Sequence, residues 1–157
     1  MERKIKRTPP RLPNVFQRYT APIYFITVCT LDRRAILASQ PVHEAFRSYA
    51  ERGRELGVAV GRYVIMPDHV HFFASPIDRE ADLSKFVQAF RSLVTRQLRP
   101  LGFPYPLWQR EFFDRLLRSS ESYERKWQYV WCNPVRHELV SNAEDWPFSG
   151  EIDSLEI

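Results

Sequence analysis

The chain has 157 residues, a formal net charge of +4 and a hydrophobic fraction of 44%. This length suits one domain with a buried core, and no apolar run reaches the roughly 18 residues that span a bilayer. Two cysteines form no disulfide framework, and the basic amino terminus lacks the apolar stretch of a secretory signal. We therefore expect a cytoplasmic protein without a membrane partner.

The charges are unevenly distributed along the chain. The first 18 residues hold six Lys or Arg and one acid, whereas the last 20 hold six acids and no Lys or Arg. A basic body of this kind favours a polyanionic partner, although an uneven solvated surface has the same composition. We expect three parts: a basic, proline-rich arm at 1–21, a domain at 22–140 and an irregular acidic tail at 141–157.

The first half of the domain alternates between strand and helix patterns. The β-branched and aromatic run at 24–30 is typical of a strand. Apolar residues at helical spacing then predict a helix that begins at Pro41 and ends at Gly57. Residues 58–66 and 69–76 are predicted to be two antiparallel strands, because the Pro-Asp pair between them favours a tight turn.

The second half continues the alternation. An apolar stripe predicts a helix over 83–98, with basic residues on its other side, and the first half of the ambiguous segment 107–117 is taken as a fourth strand. Ser119 or Ser120 can cap a third helix that runs to about Asn133, before a proline. The order β-α-β-β-α-β predicts a ferredoxin-like α+β fold with an antiparallel sheet and an added carboxy-terminal helix.

Two histidines, His69 and His71, lie one residue apart at the start of the third predicted strand. Residues i and i+2 of a strand point to the same face, so the two imidazoles project together. They can bind one divalent metal, and oxygen donors among the other ligands would favour Mg²⁺ or Mn²⁺. The alternative is a pair of histidines with ordinary hydrogen bonds on a half-exposed strand.

The third predicted helix has an apolar face and a basic face. At about 100° per residue, Tyr123 falls on the apolar face and Tyr129 on the basic one. The polar residues on the side of Tyr129 are Arg125, Lys126, Asn133 and Arg136. Neighbouring cations stabilise a phosphate or a developing phenolate, so this tyrosine is a candidate nucleophile. Taken alone, the pattern also fits an ordinary exposed tyrosine.

Three segments, in this order, resemble the HUH single-tyrosine transposases, most closely their REP-associated branch. The segments are VIMPDHVHFF, LWQREFFDRLLRS and YVWCNPVRHELVSNAEDWPFS. The resemblance implies an enzyme that cleaves and rejoins hairpin-bearing single-stranded DNA through a 5′-phosphotyrosine intermediate. It also implies that His69 and His71 bind the metal, that Tyr129 is the nucleophile and that Asn133 is the third ligand. Asp68 departs from the family pattern, which commonly has Asn or another polar residue there.

The expected partner is single-stranded or hairpin DNA, bound by a monomer or a homodimer. We expect phosphate contacts from the arm, from the polar side of the second helix and from the basic face that carries Tyr129. The arm residues are Arg3, Lys4, Lys6, Arg7 and Arg11. The other residues are Lys85, Arg91, Arg96, Arg99, Arg125, Lys126 and Arg136.

Two other functions remain open from the sequence. One is a metal-dependent hydrolase of another class, in which the histidine pair acts with a carboxylate such as Asp114; the same residue is a candidate for supporting the transposase site. The other is a nucleic-acid-binding protein without catalytic activity. Only the transposase predicts that a cleaved DNA strand stays covalently bound to the denatured protein.

Overall fold

The computed structural model describes residues 22–78 and 80–156, which form an antiparallel sheet with helices on both faces. The strands are β1 (Ile23–Cys29), β2 (Val58–Ile65), β3 (His69–Pro76), β4 (Phe113–Leu117) and β5 (Ser149–Glu151). The helices are α1 (Gln40–Glu51), α2 (Leu83–Leu98), α3 (Ser120–Trp131) and the single turn α4 (Asn133–Arg136). The sheet order is β4-β1-β3-β2-β5. The first four strands have the ferredoxin-like order, which confirms the predicted fold class.

The sheet separates two apolar cores because successive residues of each strand point to opposite faces. On β3, Val70 and Phe72 belong to a large core that also contains residues of α1 and α2. Phe73 belongs to a smaller core on the other face, where it packs against Tyr123 of α3. The histidines of β3 alternate in step with Phe73, so they lie on the face that α3 covers.

Two helix ends follow from local sequence chemistry. Asp82 caps α2 by accepting a hydrogen bond from the backbone N–H of Lys85. After α1 ends at Glu51, a short 3-10 turn leads to Gly57, whose φ of 87° is left-handed and suits glycine. The predicted end at Gly57 is therefore the end of this turn rather than of the α-helix.

The predicted position of the fourth strand is wrong. The strand β4 occupies the second half of the 107–117 segment, where Leu117 pairs with Ile23 of β1. In the first half, Trp108 forms one isolated bridge with Thr30, and its indole N–H donates to the carbonyl of Arg91 on α2. This half is held against the helix instead of in the sheet.

The expectation of an irregular acidic tail at 141–157 is also wrong. The strand β5 pairs with β2 and so covers the edge that β2 would otherwise present to solvent. The indole N–H of Trp146 donates to the carbonyl of Ile65 at 2.9 Å. Arg62 of β2 lies 3.0 Å from Glu151 of β5 and 2.8 Å from Glu124 of α3, so ion pairs join this segment and α3 to the sheet.

The predicted basic arm at 1–21 lies outside the described residues. Among the helices of the part that the structure describes, none is long and apolar enough to cross a membrane.

Candidate active site

The two histidines of β3 lie next to each other on the face of the sheet that α3 covers. Their ring centroids are 4.5 Å apart. The ring of His71 stacks on Phe25 of the neighbouring strand, with centroids 5.1 Å apart. His69 is 6% exposed and His71 is half-buried. The same-face placement expected from the spacing is therefore what the structure contains.

Each imidazole is held in place by a hydrogen bond at its Nδ1 atom. With the proton placed on Nδ1, His69 donates to Asp68 Oδ1 at 2.7 Å, and His71 donates to Thr27 Oγ1 at 2.8 Å. Asp68 in turn accepts a hydrogen bond from Arg33 Nε at 2.8 Å. This arrangement leaves Nε2 of both rings unprotonated, as in metal-binding histidines supported by a second hydrogen bond.

Burial favours the neutral form of both imidazoles. Burial lowers the pKa of His69, although hydrogen bonding to Asp68 raises it. Burial, and then repulsion from Lys126 and from His69 in its protonated form, lowers the pKa of His71 to about 3. Burial alone would raise the pKa of Asp68, but its hydrogen bonds to His69 and Arg33 hold it below its ordinary value. A divalent metal binds the neutral form of imidazole, so this protonation state suits a metal site.

The helix α3 presents the two competing tyrosines in different directions. Ser119 caps this helix by accepting a hydrogen bond from the backbone N–H of Ser122. Tyr123 is 5% exposed and packs edge-on against Phe73, whereas Tyr129 is 61% exposed. The predicted separation into a buried and an accessible tyrosine is thus present in the structure, and the accessible hydroxyl can reach a substrate.

A continuous series of contacts joins Tyr129 to the histidines. The guanidinium of Arg136 lies 3.8 Å from the centre of the Tyr129 ring, and its Nη2 donates to Asn133 Oδ1 at 3.2 Å. The Asn133 amide then donates from Nδ2 to His69 Nε2 at 3.3 Å. Pro134 begins the turn α4 directly after α3, and this turn brings Asn133 and Arg136 to the histidine side.

The donor set fits a metal with nitrogen and oxygen ligands. Among the described residues, no group of three His, Cys, Asp or Glu side chains is arranged to hold a metal. Asn133 is 7% exposed and its amide lies against His69 Nε2, the atom through which His69 would bind a metal. A half turn of the amide would present Oδ1 on the His69 side, since the oxygen and nitrogen are nearly isosteric. Metal binding by Oδ1 would therefore replace the hydrogen bonds that Asn133 makes to His69 and Arg136.

The cations near Tyr129 differ in their environments. Lys126 Nζ lies 5.6 Å from the centre of the Tyr129 ring and 4.7 Å from that of Phe25. Burial, with a smaller contribution from Arg115, lowers the pKa of this ammonium group. Arg125 instead forms an exposed ion pair with Glu121 one turn earlier. Of the expected cations on α3, Lys126 therefore lies at the tyrosine and Arg125 points to solvent.

The basic residues of α2 lie with the large core on the other face of the sheet. Lys85 and Arg96 of this helix, and Arg99 directly after it, are exposed, as expected. Arg91 is only 8% exposed, so its expected place on the polar surface is wrong. Its guanidinium turns inward to the carbonyl of Arg110 because the segment before β4 covers this part of the helix.

The expected role of Asp114 in the site is wrong. Asp114 pairs directly with Ile26 of β1 and affects the pKa of Tyr24, and both of those residues belong to the core beneath α1 and α2. Directly paired residues share a face, so Asp114 points away from the histidines. The described structure therefore does not combine this carboxylate with the histidine pair, as the hydrolase alternative required.

Sequence reasoning missed Thr27 and Arg33, which support the two histidines. Both depend on contacts across strands or loops, such as the pairing of Thr27 with His71. No spacing in the sequence marks them. Asp68, by contrast, is adjacent to His69, so a carboxylate next to a candidate ligand was a usable signal.

Comparison with known proteins identifies similar chains. Residues 19–130 match the family model "Transposase IS200 like". A REP-associated tyrosine transposase of Escherichia coli strain K12 is 25% identical over 126 residues, which cover 80% of this chain and 74% of that protein. A solved structure of a REP-associated tyrosine transposase bound to a REP hairpin has a TM-score of 0.71 at 21% identity, covering 94% of this chain and 82% of the other. These matches confirm the resemblance found in the sequence.

Proposed function

The chain belongs to the IS200-like transposase family, and from this premise we propose that it cleaves and rejoins hairpin-bearing single-stranded DNA with Tyr129 as the nucleophile. Enzymes of this family are generally metal-dependent. The observation that carries the assignment of the nucleophile is the series of contacts from Tyr129 through Arg136 and Asn133 to His69. This series supports the proposal, because an accessible hydroxyl, a cation and two imidazoles with unprotonated Nε2 atoms lie along or beside it.

The proposed reaction is a transfer of one phosphodiester bond. The hydroxyl oxygen of Tyr129 attacks the scissile phosphorus and loses its proton, a 5′-phosphotyrosine bond forms, and the 3′-oxygen leaves and takes up a proton. A free 3′-OH reverses the step and joins the strands. The covalent intermediate conserves the energy of the phosphodiester bond, so rejoining needs no external energy source.

Different residues of the protein have different roles in this reaction. Arg136 and Lys126 supply positive charge beside the tyrosine, where phenolate character and phosphate charge develop. His69, His71 and Asn133 would hold Mg²⁺ or Mn²⁺, which when bound polarises the phosphate and stabilises its developing charge. Asp68 and Thr27 orient the imidazoles so that each Nε2 faces the site.

The proposal is tested by trapping the covalent intermediate. The parent protein, with Mn²⁺ and a hairpin DNA labelled on the 3′ side of the scissile bond, should keep the label after denaturation. Tyr129→Phe removes one exposed oxygen, so the variant should fold normally yet form no adduct. Tyr123→Phe is the matched control on the same helix and should form the adduct. A modified peptide that contains Tyr123, or an adduct with Tyr129→Phe, would refute the assignment.

The remaining contacts with DNA are part of the same proposal. The arm residues at 1–12 should contact phosphates, because they carry positive charge. Each such contact with single-stranded DNA contributes up to about 0.7 to the slope of log affinity against log salt. Deleting these residues should make that slope less steep, and an unchanged slope would show that the arm does not contact the DNA. The monomeric or homodimeric state and the cytoplasmic location stay predictions.

If the parent binds hairpin DNA but retains no label, the protein is a nucleic-acid binder that lacks catalytic activity under these conditions. The structure offers no support for the hydrolase alternative that used Asp114, since this residue lies on the opposite face from the histidines.

A further inference from the structure

A second cationic site lies on the opposite face of the sheet from Tyr129. It is a cavity of about 480 Å³ between α2 and the segment that precedes β4. Its cationic and aromatic lining residues are Arg91, Arg96, Arg99, Tyr105, Trp108 and Arg110. None of the described residues that line the cavity is acidic. The cavity is therefore built for a ligand that carries negative charge.

The outer wall of this cavity is held in place by hydrogen bonds. Arg34 donates to the carbonyl of Pro104 at 3.0 Å and also to the carbonyl of Pro106. The indole of Trp108 donates to Thr95 Oγ1 at 3.1 Å, and the backbone N–H of Gln109 donates to the carbonyl of Cys29 at 3.0 Å. The wall is thus tied to α2 and to the end of β1.

The buried end of the cavity holds a guanidinium with unused donors. Arg91 is 8% exposed, and its Nη1 donates to the carbonyl of Arg110 at 3.2 Å. Its Nε and Nη2 are buried without a hydrogen-bond partner among the described residues. A buried charged group is costly unless it is paired and hydrogen-bonded. Those two atoms are shielded from solvent, so an anion in the cavity would meet the exposed guanidinium groups of Arg96 and Arg99, with the charge of Arg91 behind them. Arginine suits the paired oxygens of a phosphate.

The rim of the cavity provides aromatic surface. Tyr105 is 78% exposed, although its neighbour Pro106 is anchored by Arg34, and Trp108 is half-buried in the wall. Aromatic rings beside a cationic groove are the usual means of binding unpaired bases, because every base can stack. Duplex DNA keeps its base faces stacked on each other, so the aromatic rim favours a single-stranded segment.

We propose that this cavity binds one unpaired nucleotide of the DNA substrate, with its phosphate at Arg96 and Arg99 and its base against Tyr105 and Trp108. The volume falls in the range of pockets that enclose small molecules, which accommodates a single nucleotide. This inference rests on the proposed function for the identity of the substrate and adds a second contact to it.

The cavity lies at the end of the sheet that carries the histidines. Cys29, whose carbonyl binds the cavity wall, pairs with His69 in the sheet. The backbone N–H of the next residue, Thr30, donates to the carbonyl of Asp68 at 2.9 Å. A strand that leaves the active site around this end of β1 would reach the cavity. The bound nucleotide therefore flanks the hairpin and helps to position the scissile bond.

Equilibrium binding tests the proposal without any chemical step. The full chain, in a metal chelator, is titrated with a hairpin that carries a single-stranded extension and with the same hairpin without it. The double variant Arg96→Gln, Arg99→Gln and the single variant Tyr105→Ser should each bind the extended hairpin about tenfold more weakly. Both should bind the blunt hairpin as the parent does. Arg52→Gln, an exposed cation on the same face outside the cavity, is the matched control and should change neither affinity by more than about twofold.

Photo-crosslinking identifies the nucleotide that occupies the cavity. A 5-iodouracil placed at successive positions of the extension should crosslink to a peptide that contains Tyr105 or Trp108 at one position only. Equal weakening for both DNAs would mean general attraction between charges, and crosslinks confined to other peptides would place the extension elsewhere. Either result overturns the proposal.

The outcome is separable from that of the proposed function. The cavity variants should still form the Tyr129 adduct when the DNA is saturating, because no cavity residue takes part in bond transfer. An absent adduct in the parent would refute the proposed reaction, while selective loss of affinity for the extended hairpin would still support the cavity.

Discussion

Acidification should destabilise the metal-free protein through His71. Burial first, and nearby positive charges second, lower the pKa of this imidazole from 6.5 to about 3. Below pH 6.5 the His71 imidazole therefore binds a proton in the unfolded chain, whereas in the folded protein it stays neutral until the pH approaches 3. The free energy of unfolding thus falls as the pH falls through this window.

The size of the effect follows from the pKa shift. Between pH 6.5 and about pH 5, the imidazole is protonated in the unfolded state and neutral in the folded state. Over this span of about 1.5 pH units, the free energy of unfolding falls by roughly 2 kcal/mol. The ring is half-buried and solvent screens part of the shift, so we expect a loss of about 1 kcal/mol from His71.

Urea unfolding in the presence of a chelator measures this loss. The free energy of unfolding is compared between about pH 7.5 and about pH 5 for the parent and for His71→Asn. The pKa of His43 and that of His69 are also lowered by burial, and the comparison of two proteins largely cancels their contribution. The parent should lose about 1 kcal/mol more than the variant.

An equal loss in the two proteins would refute the argument, because it would mean that His71 titrates alike in the folded and unfolded states. Adding Mn²⁺ at about pH 7.5 provides an independent check. It should raise the unfolding free energy of the parent by selective binding to the folded state, and should do so much less for His71→Asn. No stabilisation of the parent would contradict the proposed metal site.

Three further substitutions test separate parts of the structure. Asp68→Asn removes the carboxylate behind His69 and should weaken Mn²⁺ binding by about 10- to 100-fold in calorimetric titration; unchanged affinity would contradict the orienting role. Lys126→Met should slow the formation of the Tyr129 adduct by about tenfold or more while hairpin affinity changes by less than about threefold; an unchanged rate would show that this cation does not assist the reaction. Trp146→Ala removes the hydrogen bond to Ile65 and part of the smaller core, so urea unfolding should show a loss of about 2 kcal/mol, and a loss below about 0.5 kcal/mol would contradict the packing described for this segment.

The features that the sequence predicts correctly depend on neighbouring residues. The strand β3 was predicted with the bounds that the structure has, because the period of two and the preceding Pro-Asp turn are local signals. The same period places His69 and His71 on one face. The helical period separates Tyr123 from Tyr129 in the same way, and their exposed fractions of 5% and 61% agree with it.

The features that the sequence mispredicts depend on residues far apart in the chain. The ambiguous segment before α3 contains two stretches that can form a strand, and only pairing with β1 selects the second. That register also turns Asp114 away from the histidines, because a shift of one residue exchanges the two faces of a strand. The pairing of β5 with β2 depends on an open sheet edge that no local pattern in residues 149–151 reveals.

Motifs and local periodicity therefore predict the family and the ferredoxin-like order, which are confirmed, and they name the residues proposed for the site. Contacts between distant parts of the chain, which motifs do not contain, show which groups support those residues. Arg33 reaches Asp68 across 35 positions of the chain, and Arg136 joins Tyr129 to Asn133 only because a proline turn follows α3. Tertiary structure also decided that Arg91 is buried with unused donors, because the cavity wall that covers it is held by β1 and by α2 itself.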